Sequence, residues 1–342
     1  MRFETIIGRK QKRFQHTLIL GLAAITMVLG TSASAMAGEI LLVNGFDTSN
    51  DNAYSTFAYS PDGSGGFSAS GRTVLTSQAP YNGLLVQGPQ GQSVPYLWET
   101  DTTGGFSRYT LSGTLQLHFD GNRDHSVFAI DFIDKTGQAV EDPAGNFYAH
   151  QGGTNRLLKI SPDGTVSLIA NGQAVGMAWG PDGLLYMADD SGFIHRYSTS
   201  GTEHPAFGTW DVSDYQPTVL GFDSHGNLFG LVSQTKIVKW SADGTYQGVF
   251  ASGLPNNIYS TFGVRNSFAI DGNDNIFFLQ AWGSLYKISP TGTVTLFDNT
   301  NDMFMSSVAV INDGVTPEPS TGLLLLGGGC ILAVARRRSR SS

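Results

Sequence analysis

The residues best suited to chemistry are carboxylates in the loops between short β-rich runs. Aspartate supplies the hard oxygen ligands that Ca²⁺ prefers, and it also accepts hydrogen bonds from sugar hydroxyls. If these loops meet at one end of the fold, they predict an acidic rim that binds a divalent cation or a polar saccharide. The alternative of solvated acidic loops stays open. The candidate rim consists of Asp124, Asp189, Asp190, Asp298 and Asp302.

Catalytic signatures are missing from the sequence, which contains no Gly-x-Ser-x-Gly, His-Glu-x-x-His, phosphate-binding loop or dinucleotide fingerprint. The single cysteine, Cys330, lies close to the C-terminus, so residues 38–314 offer neither a thiol nucleophile nor Cys-ligated zinc. We therefore predict no catalytic residues and no cofactor, with Ca²⁺ as the one candidate. The remaining conspicuous aspartates stand beside Gly or Asn and are predicted turn residues; they are Asp163, Asp182, Asp223, Asp243 and Asp271.

Aromatic residues are a second means of contacting sugars. Five tryptophans are spread along residues 98–282 at wide intervals. This distribution favours packing between repeated units. If some of them face outward, they would instead support a carbohydrate-binding surface.

The elements that must position these residues are repeated. Three short apolar-alternating runs, each closed by a turn signal, recur at residues 140–164, 175–201, 219–244 and 268–292. The closing glycines are 37, 43 and 48 residues apart, and repetition on this scale indicates an array of supersecondary units. Each copy, with the run that follows it, supplies four strands. This pattern is typical of a β-propeller blade.

The two ends of the array are complementary. Residues 40–76 supply a second, third and outer strand without an inner one, whereas residues 305–311 form an inner strand that no blade follows. Pairing them would close the ring and remove exposed edges. We therefore predict an all-β propeller of six four-stranded blades, closed by N- and C-terminal strands. The blades begin near residues 40, 82, 126, 174, 217 and 265. The alternative is an open β-sandwich over residues 38–125 followed by a smaller propeller.

The repeats resemble those of NHL and SMP-30/gluconolactonase-type six-bladed propellers. Residues 160–165 (ISPDGT) and 288–293 (ISPTGT) carry the resemblance, which extends over residues 140–297. Membership of the SMP-30 group would imply a metal-dependent hydrolase of a lactone or sugar derivative, with one glutamate and three Asn or Asp side chains around the metal. The glutamates of the body match no such ligand set; they are Glu39, Glu99, Glu141 and Glu203.

The N-terminus has the layout of a secretory signal peptide. A basic region precedes an apolar run at residues 18–30, and small residues end at Ala37. The 13 residues of the run are fewer than the ~17–25 that a spanning helix needs. We expect the Sec export machinery to carry the chain and the mature body to begin near Gly38. An uncleaved anchor is the alternative.

The C-terminus combines three unlike features. They are Pro317-Glu318-Pro319, an apolar run at residues 322–335, and a basic cluster of Arg336, Arg337, Arg338 and Arg340. Residues 315–342 resemble the PEP-CTERM sorting signal of Gram-negative bacteria. The resemblance implies an exosortase as partner, an inner-membrane-tethered intermediate with the arginines in the cytoplasm, and delivery to the cell surface or extracellular matrix, where exopolysaccharide is made. An ordinary membrane anchor is the alternative.

Charge narrows the choice of partner. Residues 38–314 contain 11 basic and 26 acidic residues, a net charge of −15. This excess excludes nucleic acid, whose binding depends on neutralising phosphates. We therefore expect an exported propeller with a binding or scaffolding role, acting on extracellular polysaccharide or a surface protein. The alternative is the SMP-30-like hydrolase.

Overall fold

The structure is a computed structural model, and it describes the chain between Glu39 and Asn312 with internal gaps. The described residues are 39–47, 53–62, 66–76, 97–100, 106–109, 114–119, 138–151, 155–172, 176–189, 192–210, 217–233, 235–255, 267–280, 283–299 and 303–312. The predicted signal peptide and the predicted sorting tail lie outside these ranges. No membrane-spanning helix is found within them.

All regular structure in these ranges is β-strand. The strands are β1 (Glu39–Asp47), β2 (Ala53–Pro61), β3 (Phe67–Thr76), β4 (Leu97–Thr100), β5 (Phe106–Tyr109), β6 (Leu115–Phe119), β7 (Ala139–Glu141), β8 (Phe147–Gln151), β9 (Arg156–Ile160), β10 (Val166–Asn171), β11 (Gly176–Trp179), β12 (Leu185–Ala188), β13 (Phe193–Tyr197), β14 (Glu203–Thr209), β15 (Val219–Phe222), β16 (Leu228–Val232), β17 (Lys236–Trp240), β18 (Tyr246–Ala251), β19 (Phe268–Ile270), β20 (Ile276–Leu279), β21 (Ser284–Ile288), β22 (Val294–Asn299) and β23 (Met303–Asn312).

The described strands form five four-stranded antiparallel blades and one three-stranded sheet. Blade 1 has the order β23-β1-β2-β3, and blades 2 to 5 contain β7–β10, β11–β14, β15–β18 and β19–β22. The prediction of six four-stranded blades is therefore wrong for the described residues. At the place of the predicted second blade, β4, β5 and β6 pair as three strands. The inner strand expected in the blade that begins near residue 82 falls outside the described ranges.

Blade 1 closes the ring, as predicted. β1 pairs with β23 in a register that runs from Glu39 opposite Asn312 to Asp47 opposite Met303. β1 therefore has a hydrogen-bonded partner on each edge, since its other edge pairs with β2. The alternative of a separate N-terminal sandwich does not fit this pairing.

The core lies between neighbouring blades. Inner and second strands such as β15 and β16 are buried along their whole length, because each packs against a blade on both sides. Trp179 and Trp240 have the packing role that the sequence predicts. Trp179 of blade 3 stacks on Tyr148 of blade 2 with ring centroids 5.6 Å apart, and the fully buried Trp240 of blade 4 donates to the carbonyl of Thr209 in blade 3 at 2.7 Å.

One end of the fold carries two kinds of turn, and we call it the turn face. The inner turn joins the first and second strands of a blade, and the outer turn joins the third and fourth. In the inner turn of blade 4, Asp223 accepts hydrogen bonds from the N–H groups of His225 (3.0 Å) and Asn227 (2.7 Å). The opposite end, where second strands lead into third strands and blades follow one another, is the loop face.

Candidate functional site

Two members of the predicted acidic rim are described, and both lie on the loop face with protein partners. Asp298, near the end of β22, accepts a 2.8 Å hydrogen bond from the hydroxyl of Tyr59 in blade 1. Burial raises the pKa of Tyr59 above its usual range, and the Asp298 carboxylate raises it further. Tyr59 therefore remains a hydrogen-bond donor, and the contact joins blades 5 and 1.

Asp189, the other described member, belongs to a carboxylate-imidazole-carboxylate bridge. His195 Nε2 lies 2.8 Å from Asp189 Oδ2, and its Nδ1 lies 2.9 Å from Glu203 Oε1. Burial lowers the pKa of His195, but the bonds and charges of Glu203 and Asp189 outweigh burial, so the net shift is upward. The bridge fastens the loop after β12 to the third and fourth strands of blade 3.

The cation site stays a prediction. Asp124, Asp190 and Asp302 lie outside the described residues. Among the residues that are described, no group of three or more His, Cys, Asp or Glu side chains is arranged to hold a metal ion.

The centre of the ring contains a side chain that the sequence did not single out. Gln138, just before β7, is 1% exposed. Its amide oxygen accepts the backbone N–H groups of Met177 (2.9 Å) and Leu220 (2.7 Å), and its Nε2 donates to the Leu220 carbonyl (2.9 Å). One glutamine therefore links the inner strands of blades 2, 3 and 4. Its partners are remote in sequence, so no local pattern could reveal it.

A pair of buried carboxylates lies at the seam between blades 5 and 1. Glu39 Oε1 accepts the N–H of Gly272 at 2.8 Å, in the turn that begins with Asp271. Burial raises the pKa of Glu39 to about 7, and repulsion from Asp271 adds to the shift. Burial also raises the pKa of Asp271. Glu39 is thus a seam residue in this structure.

The predicted turn aspartates are confirmed as turn residues. Asp163 and Asp243 each accept the N–H of a threonine two residues later at 3.0 Å. Asp182 does the same for Leu184 at 3.2 Å. Asp271 accepts the N–H groups of the second and fourth residues after it.

Between blades 3 and 4, a groove of about 530 Å³ opens beside these turns. Its floor is aromatic. The ring of Tyr186 meets Phe222 edge-on at 4.8 Å and Phe207 at 5.1 Å between centroids. Tyr186 and Phe222 are largely buried and Phe207 is half-buried, so the floor offers an apolar surface of limited area.

The walls of the groove are polar and charged. Asp182 Oδ2 accepts the Tyr186 hydroxyl at 2.9 Å and lies 3.7 Å from Arg196 Nη1. On the other wall, hydrogen bonds from Ser241 and Thr245 lower the pKa of Asp243 to about 2, so its carboxylate is charged. His225 completes this wall with a side chain that is 74% exposed. A hydroxyl-rich ligand would find both donors and acceptors here.

Sequence reasoning missed this groove because it assigned its aspartates to turns alone. One signal was available. In the inner turn of blade 3, Gly180 stands where blades 2, 4 and 5 have Asp142, Asp223 and Asp271. A Cβ at Gly180 would collide with the Tyr186 ring. Gly180 therefore leaves space for the Tyr186 ring. Asp182, two residues later, accepts the hydrogen bond of the Tyr186 hydroxyl.

Comparison with solved structures finds the same fold at low identity. A protein of unknown function from Bacteroides caccae is 12% identical, with a TM-score of 0.51 over 80% of this chain and 99% of that one. Virginiamycin B lyase from Staphylococcus aureus is 14% identical (TM-score 0.48, 77% and 88% of the two chains). A gluconolactonase from Xanthomonas campestris is 16% identical (0.44, 72% and 89%). Among curated protein sequences nothing matches.

The blades, their closure and the likeness to the Bacteroides caccae structure define the body as a β-propeller. The PEP-CTERM protein-sorting motif matches residues 315–340, which confirms the predicted tail. The chain thus combines a β-propeller body with a PEP-CTERM sorting motif, and the motif implies export and membrane-anchored sorting to the cell surface by an exosortase.

Proposed function

We propose that the protein acts at the cell surface by binding a saccharide, and that the groove between blades 3 and 4 is its binding site. The observation that carries the proposal is the composition of the groove. An aromatic floor of Tyr186, Phe207 and Phe222 lies under walls that hold Asp182, Arg196 and Asp243. Apolar rings pack against the C–H faces of a sugar, and charged planar groups make strong hydrogen bonds to its hydroxyls.

The charges of the groove favour a neutral or amino sugar over an acidic one. Asp182 and Asp243 contribute two negative charges. The positive charge of Arg196 lies beside Asp182, and its Nε donates to the Pro205 carbonyl at 2.8 Å. A sugar carboxylate would therefore meet net repulsion. Neutral and amino-sugar polysaccharides of the extracellular matrix fit this wall best.

We prefer saccharide binding to the hydrolase alternative because of the side chains that lie at the inner strands of the ring. A metal-dependent hydrolase requires converging Glu, Asn and Asp side chains there. Gln138 links the inner strands of blades 2, 3 and 4 through bonds of its amide to backbone groups. Glu141, at the end of the inner strand β7, is also buried. Glu39 and Glu203 have partners at the blade seam and in the His195 bridge.

Filling the groove tests the proposal without removing any structural bond. Ala206 and Ala242 are exposed residues of the groove lining, so Ala206→Trp and Ala242→Trp should obstruct it. Ala144→Trp, on an exposed inner turn of blade 2, is the matched control. We expect the wild type and the control to bind neutral or amino-sugar oligosaccharides on a glycan panel. The two groove variants should bind at least about tenfold more weakly, a loss of ~1.4 kcal/mol.

Calorimetry on the best glycan provides the affinities, and circular dichroism verifies the fold. An absence of binding across the panel would contradict the proposal. So would equal affinity in the groove variants and the control.

A further inference from the structure

The folded body receives and releases the chain at one point. β1 begins at Glu39 and β23 ends at Asn312, and these two residues are register partners. In blade 4 the corresponding position is bridged by the inner turn, between Phe222 and its partner Leu228. The break in blade 1 thus stands where the other blades have a hairpin turn.

Contacts between blades place this break on the turn face. Glu39 binds the N–H of Gly272, which belongs to the inner turn of blade 5. The same turn of blade 5 is joined to the inner turn of blade 4, because Ser224 Oγ donates to Asp274 Oδ2 at 2.8 Å. The exit of the chain at Asn312 therefore lies in one surface with these turns.

The chain beyond this exit is short. The apolar run of the tail begins at residue 322, ten residues after Asn312, and ten extended residues span at most about 36 Å. To bring the loop face to the membrane, this linker would have to pass the four strands of a blade, about 14 Å at the usual strand spacing, and then the length of a strand such as β18, ~20 Å. Because the linker would have to be almost fully extended to do this, its length favours the turn face at the membrane.

We propose that the turn face is the surface that the propeller presents to the lipid bilayer while the sorting tail anchors it. The loop face, with Asp189 and Asp298, then points away from the membrane. The exosortase reaches its motif from the side of the turn face. This inference depends on strand closure and on the position of the motif, and it holds whether or not the groove binds a saccharide.

Single cysteines test this orientation, because Cys330 is the chain's one cysteine. In full-length protein carrying Cys330→Ser, we would introduce Ala242→Cys in the outer turn of blade 4 and Ser252→Cys at the other end of β18. Ala144→Cys, in the inner turn of blade 2, and Asn171→Cys, at the end of β10, form a second pair of one turn-face and one loop-face position. All four positions are exposed. Each variant is labelled with a fluorophore and reconstituted in phosphatidylcholine vesicles that contain a headgroup spin label.

We expect the label at positions 242 and 144 to be quenched at least about twofold more than the label at positions 252 and 171. Equal quenching, or stronger quenching at 252 and 171, would overturn the proposal. Thermal unfolding of each variant verifies that the fold is intact.

A longer linker provides the control. A Gly/Ser linker of about thirty residues between Asn312 and Pro317 has a root-mean-square length of roughly 30 Å, and it should abolish the difference between the faces. If the difference persists, the turn face binds lipid by itself and the short linker is not its cause.

Discussion

Glu39 shows how much of the molecule depends on single side chains with distant partners. It binds a turn of blade 5 from the first position of β1, and Gln138 similarly binds two strands far ahead in the chain. Neither role could be predicted from the sequence, since both depend on which blades become neighbours. The turn aspartates could be predicted, because their bonds reach only two to four residues ahead.

The raised pKa of Glu39 predicts a stability that depends on pH. A carboxyl whose pKa rises from 4.5 to about 7 on folding stabilises the fold below pH 4.5, and this stabilisation is lost as the pH rises through 7. Glu39→Gln retains an acceptor for the Gly272 N–H but cannot ionise. We expect the variant to exceed the wild type by about 1–3 kcal/mol at pH 8.5 and to match it at pH 4.5.

Urea unfolding at both pH values measures the difference. Glu203→Gln, in the partly exposed His195 bridge, is the comparison for loss of a carboxylate. Because Glu203 helps to raise the pKa of His195, this variant should lose more stability at pH 4.5 than at pH 8.5, whereas Glu39→Gln should gain stability at pH 8.5. A gain from Glu39→Gln that is the same at both pH values would refute the assignment.

At the scale of the element, the closing glycines explain why the repeat could be recognised. Gly201, Gly244 and Gly292 have φ of 84°, 87° and 85°. A Cβ at each would collide with a carbonyl of the preceding blade, namely that of Ile169, Phe207 and Phe250. Turn geometry and blade packing both require glycine here, so the signal is strong in blades 3 to 5. The blade number was harder to predict, because the N-terminal repeats carry the pattern more weakly.

Two glycines of blade 4 distinguish the effect of turn geometry from that of packing between blades. Gly244 and Gly248 have nearly the same φ, 87° and 88°, but a Cβ at Gly248 would meet nothing within 4 Å. We expect Gly248→Ala to cost only the ~1–2 kcal/mol of left-handed backbone strain. Gly244→Ala should cost about 3–5 kcal/mol, because overpacking against Phe207 adds to the strain.

Denaturant unfolding of the two variants provides the comparison. Similar losses of stability in both variants would show that the close approach of Phe207 to Gly244 contributes nothing to the cost of the substitution.

For the whole molecule, the turn face combines the exit of the chain, the groove and a set of exposed carboxylates. Asp163, Asp182 and Asp243 are exposed there, and hydrogen bonds lower the pKa of Asp163 and Asp243. A face presented to a membrane would ordinarily carry basic residues. Here the tail provides the attachment, and the charges of the face oppose close contact with anionic lipid.

This repulsion makes the distance between the turn face and the membrane depend on ionic strength. With the Ala242→Cys label, vesicles rich in phosphatidylglycerol should quench less than neutral vesicles at low ionic strength. The difference should vanish near 1 M salt, where the Debye length falls to ~3 Å. Headgroup quenching across a salt titration measures it. Stronger quenching in anionic vesicles at low salt would contradict the prediction.

The pairing of β1 with β23 also determines when, during synthesis, the body can finish folding. Synthesis delivers β1 first and β23 last, so the ring stays open until almost the whole body exists. The closing contact is also the most remote in sequence, which makes it costly in entropy and slow to form. The sorting motif follows β23 directly. The strand that completes folding and the signal that directs sorting therefore become available together, and a chain that stops short lacks both.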